Sequence, residues 1–428
     1  MSKVRRTPLF EVRALGRRFS RILIQLFGLG IAVLLFVINY SDRMVQIRAL
    51  PDTLYLTDES GRVGSLFDDA GGEGVAAVDV QQAERLSDVP EDGEAYTFRF
   101  LGVIPLRTVQ VVRTDETYLT PGGCAVGITL YTRGVLVVGL GSVRTAAGAV
   151  SPGSAAGLQP GDVIVQVCGE QLRDTAHLAE LCADHADDVP LVVEREGREI
   201  PVTVRPALDA DAGEYRLGLW VRDSTAGVGT LSFYDTDTGW FAALGHAISD
   251  VDTHSTLTVR EGRLVRAEIV DITRGTAGEP GELLGVFSTT DAPVGNIQLN
   301  TDYGIYGLMQ EPFDGAYGAV PLAYAYEAHE GAATILSTIS GDEVQAFSCN
   351  IVRVSTQQEP ATKGMVIEIT DEALLEQTGG IVQGMSGSPI LQDGKLIGVV
   401  THVFVNDPAK GYCVYAEWMY RQIEMHAS

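Results

Sequence analysis

From residue 207 to its end the chain is written in short runs of β-branched and aromatic residues. Examples are Leu283 to Phe287, Val294 to Leu299, Ala333 to Ile339 and Lys395 to Val405, with glycine, aspartate or asparagine between them. Runs of this kind, bounded by turn formers, read as strands. Only Asp371 to Gln377 and Ala416 to His426 have a helical pattern. A segment divided in this way predicts an all-β architecture, a sandwich or a double barrel. The 428 residues are enough for two or three domains.

The beginning of the chain is different. Residues 1–21 carry seven basic side chains against the single acid Glu11, and Ile22 to Ile38 follows as an apolar stretch of 17 residues. That length is near the lower limit for crossing a bilayer. It exceeds the roughly 7–15 residues of a cleaved signal peptide's apolar region, and no small-x-small cleavage site follows it. The stretch 22–38 is therefore read as a transmembrane anchor or uncleaved signal. The basic tail 1–21 stays in the cytoplasm, and everything after Asn39 is exported. With +6 in the first 21 residues, the rest of the chain carries −31 of the total −25. So acidic a remainder argues against nucleic acid as a partner. Residues 39–120, with strand-like patches at Leu54 to Thr57 and Tyr96 to Val111, read as a spacer with small β elements.

The pattern changes again over 121–206. Gly134 to Gly139 is a glycine-bounded buried strand, and Ser154 to Leu158 forms a short helical turn. Gly161-Asp162 then leads into the strand Val163 to Val167. A helix follows over Asp174 to Asp184, then a hairpin of Val189 to Glu194 and Glu199 to Val204 turning at Glu196-Gly197. This order, with the phrase Ser154-Ala155-Ala156-Gly157-Leu158-Gln159-Pro160-Gly161-Asp162-Val163-Ile164, resembles a PDZ domain of the bacterial protease type. Such domains add an extended peptide to a sheet edge. The resemblance implies a carboxylate loop near Pro121-Gly122-Gly123 and a receiving strand near Val126 to Leu130. Gly122, Gly123, Val126, Gly127 and Ile128 are thus the expected peptide-binding residues.

The chemistry is concentrated in Gly384-Met385-Ser386-Gly387-Ser388-Pro389. A serine in a glycine-lined turn lets the N–H groups of Gly384 and Ser386 converge on a developing oxyanion, as in a chymotrypsin-type serine peptidase. A nucleophilic serine needs a base, and His246, in the apolar setting Phe241 to Ala247, is the first candidate. His402, in the run just after the serine, is its rival, and His254 reads as loop. Eight aspartates lie between His246 and Ser386, and spacing does not choose among them. The five cysteines are too few and scattered for a disulfide framework. No pattern suggests a metal or a cofactor.

Taken together, the N-terminal anchor, the PDZ module, Leu244 to Asp250, Gly379 to Ile390, Val400 to Pro408 and Glu417-Trp418-Met419 resemble the SpoIVB peptidase family, stage IV sporulation proteins B. The resemblance implies a chymotrypsin-like double β-barrel over 207–428 fused to PDZ, with His246 as base, Ser386 as nucleophile and Asp371 as the acidic member. It implies an enzyme acting between the forespore and mother-cell membranes. There it cleaves a regulator of an intramembrane protease that matures a late sigma factor, and it also cleaves itself. Digestive enzymes of the type carry an aspartate before the serine, and here Met385 stands in its place. Asp371, 15 residues before Ser386, could instead shape the substrate pocket. The competing reading is a catalytically inactive PDZ scaffold that binds membrane-protein termini.

Overall fold

The computed structural model describes residues 50–56, 78–82, 93–100, 103–311, 317–357 and 359–427, with 25, 28–30 and 47. The stretch 22–38 lies almost wholly outside them, and among the described residues no helix is long and apolar enough to cross a membrane. The chain divides into two compact units, one of residues 1–115 with 356–359, the other of 116–355 with 360–428. The first holds a four-stranded sheet in the order Thr53–Leu56, Ile104–Arg113, Gly93–Phe100, Val78–Gln82. Leu54, Leu56, Phe98, Val109 and Val111 are buried in it, so the spacer contains a sheet of its own.

The second unit is built on two antiparallel rings. In the first, Ala125–Leu140 pairs with Val259–Arg266, which is followed by Gly295–Thr301, Gly304–Met309, Trp240–Ala243 and Leu219–Tyr234. The last strand pairs back onto the first and closes the ring. The second barrel closes through Gly331–Ser337, Gln345–Val354, Met365–Ile369, Asp407–Tyr415, Lys395–Phe404 and Pro389–Gln392. Closure leaves neither ring an open edge, which suits short strands that could not bury an apolar face alone. Val126, Ile128, Leu231, Phe241 and Ile305 fill the first barrel, and Ile335, Ile351, Ile367, Val399 and Val414 the second. Each such side chain stabilises the fold by about 1.5–3 kcal/mol. The mainly β class and the double barrel are as the sequence predicts.

Ala125–Leu140 and Leu219–Tyr234 are 16 residues each and run on beyond the barrel. Past Gly134 the first strand changes partner: Thr132 still pairs with Val259, whereas Val135 and Leu136 pair with Ile164 and Val163. Gly134 makes the bend with φ +93, and a Cβ there would sit 2.5 Å from the Ile164 carbonyl oxygen. At the same level the second strand shifts register between Arg222 and Ser224. The Asp223 carboxylate at this irregularity accepts the Thr175 N–H (2.7 Å) and hydroxyl (2.9 Å) at the start of the helix Thr175–Ala183. Val163–Val167, Val189–Arg195 and Arg198–Val204 complete the smaller sheet.

The PDZ module is therefore inserted between two neighbouring strands of the first barrel. This corrects the boundaries read from sequence. Residues 125–131 belong to the barrel, and the module continues past 206 to Arg222. One uninterrupted apolar strand serves both sheets, so no composition change marks the junction.

Candidate active site

His246 follows the first-barrel strand Trp240–Ala243, and Ser386 precedes the second-barrel strand Pro389–Gln392. The two loops pack on each other at the seam. Gly387, with φ +103, is the tightest point: a Cβ there would lie 2.1 Å from the Thr230 carbonyl oxygen and 2.7 Å from the Leu244 nitrogen. Gly245 lies against Thr401 and Val400 of the strand that follows the serine. Leu244, buried and not glycine, has φ +71, a strained conformation of the kind that collects at functional sites. Asn300 holds the next turn, its side chain bonded to the Ile248 N–H and to the Ile248 and Leu257 carbonyls at 2.8–2.9 Å.

The His246 ring is half-buried, and its Nδ1 lies 2.8 Å from the Ala247 carbonyl oxygen. A carbonyl only accepts, so Nδ1 carries the hydrogen and Nε2 is left with its lone pair. Burial lowers the imidazole pKa below its ordinary value, and the Ala247 bond offsets part of that. The His402 ring lies 5.2 Å from it, centroid to centroid. Burial, and after it the positive charges of His246 and Lys363, hold His402 low as well. Two rings this close titrate as a pair, because protonating one opposes protonating the other.

Ser386 Oγ donates to the Thr401 carbonyl at 2.9 Å, one residue before His402. Hydroxyl and both imidazoles thus share one seam. Around the serine, the Met385 N–H donates to the Val382 carbonyl (3.1 Å) and the Gly387 N–H to the Val400 carbonyl (2.8 Å). The N–H groups of Gly384 and Ser386 have no acceptor among the described residues. They are the two amides expected to face an oxyanion. Met385 is fully buried in the second-barrel core.

Asp371 is placed elsewhere. It is the N-cap of the helix Glu372–Thr378, its Oδ1 accepting the Ala373 and Leu374 N–H groups, both at 3.1 Å. Its Oδ2 accepts the Ser348 N–H at 3.2 Å. Both carboxylate oxygens are engaged there, and no bond joins Asp371 to His246 among the described residues. The Ala247 carbonyl occupies the position at Nδ1 that an orienting carboxylate would take. His254 lies in the turn closed by Asp250, its N–H donating to the Asp250 carbonyl.

The expected peptide-binding residues do not present a free strand edge. Val126, Gly127 and Ile128 pair on both sides, with Arg266, Val265 and Leu264 and with Gly229, Val228 and Gly227. The Gly122 and Gly123 N–H groups donate to the Ser232 and Leu231 carbonyls. A strand flanked on both edges cannot accept another, so this assignment is corrected. Leu219–Arg222 pairs only with Leu136–Leu140 among the described residues, and the helix Thr175–Ala183 packs beside that strand. The signal in the sequence was Leu217-Gly218-Leu219-Trp220-Val221, a glycine turn entering an apolar run.

Residues 213–420 match the family model described as SpoIVB peptidase S55, and residues 143–195 match a PDZ domain model. These are the family and the module that the sequence resembles, and the peptidase model covers just under half of the chain. A curated relative from Treponema pallidum (strain Nichols), named "Putative zinc metalloprotease", is 34% identical over 71 residues, which are 16% of each chain. The match thus spans about a sixth of that relative's length. The Rv3671c protease from M. tuberculosis aligns in its active form at 16% identity over 47% of this chain and 74% of its own, with a TM-score of 0.27. Its inactive form aligns at 16% identity over 47% and 85%, also with a TM-score of 0.27.

Proposed function

We propose that this chain, whose peptidase and PDZ segments match the SpoIVB peptidase and PDZ models, is a serine endopeptidase that works by acyl transfer. The observation that carries the reading is the pair of unengaged amides, Gly384 and Ser386, flanking a hydroxyl whose loop packs on the segment that bears His246. For attack, Ser386 exchanges its bond to the Thr401 carbonyl for one to His246 Nε2, which takes the proton. The oxyanion is received by the two amides. His246 then protonates the leaving amine, and water releases the acyl group. The Ala247 carbonyl holds the imidazole in the productive tautomer, and Asp371 acts by capping its helix.

The biological reading rests on the family and on the N-terminal sequence. The enzyme is exported and held by its anchor, with the catalytic module outside the cytoplasm, in the space between the forespore and mother-cell membranes. It cleaves a regulator of an intramembrane protease, leading to late sigma factor maturation, and it cleaves itself. Its PDZ peptide ligand adds to the edge of Leu219–Arg222, beside the helix Thr175–Ala183.

The inactive-scaffold reading draws support from one feature, the bond of Ser386 to Thr401 in place of His246. Fluorophosphonate labelling of the full chain separates the two. We expect labelling that Ser386→Ala and His246→Ala each abolish, with Ser386→Ala lowering turnover roughly 10⁴–10⁶-fold. Absence of labelling in the wild type, with the protein folded, overturns the peptidase mechanism. N-terminal sequencing of the wild type against Ser386→Ala tests self-cleavage and the fate of residues 1–38.

A further inference from the structure

The amides that would hold the oxyanion are only as well placed as the peptide planes that carry them. The Gln383 and Met385 carbonyls lie in those two planes and the Gly384 carbonyl in the plane that joins them, and each of the four carbonyls from Gln383 to Ser386 has a donor. The Leu283 N–H donates to Gln383 (2.8 Å) and the Ser388 N–H to Met385 (3.0 Å). The other two are served by one residue. Thr230 donates its N–H to the Ser386 carbonyl at 3.1 Å and its hydroxyl to the Gly384 carbonyl at 2.7 Å.

Thr230 also accepts the Leu244 N–H at its own carbonyl, at 3.2 Å. It therefore ties the serine loop to the segment that leads into His246. Its side chain is 2% exposed, so water cannot replace a lost donor at little cost. Of the four bonds to these carbonyls, the one to Gly384 is the only one made by a side chain. It alone can be removed with the backbone left intact.

We propose that Thr230 is a positioning residue for the oxyanion-binding amides, acting through the plane of the Gly384–Met385 peptide. Without the hydroxyl the part-buried Gly384 carbonyl loses its side-chain donor from the buried Thr230. Rotation of that peptide toward another donor changes ψ at Gly384 and φ at Met385, and it moves the amides on either side. The catalytic groups themselves stay in place, so the loss falls on transition-state stabilisation. This inference rests on the serine peptidase reading above.

The test uses the full-length chain in detergent micelles, with fluorophosphonate labelling rate as readout. Thr230→Val keeps the size and removes the donor, and Thr230→Ser keeps the donor. We expect Thr230→Val to label about 10–100-fold more slowly, and Thr230→Ser within about threefold of wild type. The pH midpoint of labelling is unchanged in both, since the base is untouched. A merely structural hydroxyl predicts a lower melting temperature with wild-type labelling below it, and that result overturns the proposal. So does Thr230→Ser labelling at the slow rate expected of the valine variant, which keeps the test decisive if Thr230→Val does not fold. Wild-type protein that shows no Ser386-dependent labelling overturns the underlying mechanism. Ser386-dependent labelling that Thr230→Val leaves at full rate overturns the role of Thr230 alone.

Discussion

Gly387→Ala probes the contact on which the whole site depends, because Gly387 is where the serine loop touches the histidine-bearing segment. At φ +103 an alanine is strained, by about 1–2 kcal/mol for a residue forced into the left-handed region. The added Cβ would stand 2.1 Å from the Thr230 oxygen and 2.7 Å from the Leu244 nitrogen. Both are backbone atoms that cannot rotate away, so the segments must part. Overpacking of this kind costs about 1–3 kcal/mol more. Gly394→Ala is the control: φ +78 and no atom within 4 Å, hence strain alone. For a unit of roughly 300 residues each kcal/mol moves the melt by about 1.5 °C, so Gly387→Ala should melt about 5 °C below wild type and Gly394→Ala about 2 °C below. The melt can be followed by tryptophan fluorescence, since Trp220, Trp240 and Trp418 all lie in the second unit. A displacement of about 1 Å between nucleophile and base costs about 10²-fold in rate. Fluorophosphonate labelling of Gly387→Ala at 25 °C should fall by that factor, with Gly394→Ala unaffected. A Gly387→Ala chain that melts with the control and labels at the wild-type rate would refute the packing argument.

The His246 pKa, lowered by burial, places the acid limb of the pH–rate profile below the ordinary histidine value of about 6.5. Activity then falls as the pH drops through that lower value, and a limb centred above 7 contradicts it. Asp371→Ala should lose about 1 kcal/mol of cap stability, whereas Asp371→Asn keeps the cap acceptor but turns an amide donor toward the Ser348 N–H, and should keep labelling with at most a small loss of melting temperature. An inactive asparagine variant with unchanged melting temperature would return the carboxylate to the chemistry. Arg222 pairs with the buried Asp250 and, at 3.0 Å, with Asp252. Burial opposes ionisation of Asp250, but the Thr253 and Asp252 amides, the Thr253 hydroxyl and Arg222 outweigh it and hold its pKa low. With Arg222 a third exposed, Arg222→Met should cost about 1–2 kcal/mol. Because the folded-state pKa is depressed, the difference from wild type is full above about pH 4 and shrinks as the pH falls through the lower folded value. A gap that widens on acidification would contradict this.

What the sequence disclosed follows from how local each signal is. The strand Val163–Val167 and the hairpin at Glu196-Gly197 were legible because their alternation and turn residues are contiguous. Ser386 between its flanking glycines, and His246 in its apolar setting, stood out as candidates for the same reason. The PDZ edge was misplaced because Ala125–Leu140 is one apolar run serving two sheets. Its division at Gly134 depends on which strands arrive beside it. Asp371 carries two compatible signals, an acid near a catalytic serine and an N-cap before Glu372 to Thr378, and only the fold shows the cap in use. Thr230 and Asn300 left no trace in the sequence. Their work is done by side-chain hydrogen bonds that span 154 positions of chain for Thr230, and 52 and 43 for Asn300.

The insertion of the PDZ module into a barrel strand pair bears on how such a peptidase could be controlled. Met385, buried where an activating ion pair would need an aspartate, offers no place for a newly cut N-terminus to act. Control would have to enter through packing, and Leu219–Tyr234 reaches every relevant part. Its first residues, Leu219–Arg222, pair on one side only among the described residues, at the edge proposed for the PDZ ligand. Arg222 pairs with Asp250, four residues beyond His246, and Thr230 holds the Gly384 and Ser386 carbonyls. From Leu219 to Thr230 the strand spans about 35 Å at about 3.3 Å per residue, and it is hydrogen-bonded to Ala125–Leu140 along that length. A peptide added at one end would therefore bear on both catalytic loops through one element. The register shift at Asp223 divides that element between the two arginine- and threonine-borne contacts. An occupied groove that shifted only the Arg222 end would act on the base, and one that carried through the shift would act on the oxyanion amides. Those two routes differ in their kinetics: the first moves the pH midpoint of labelling, and the second moves its limiting rate.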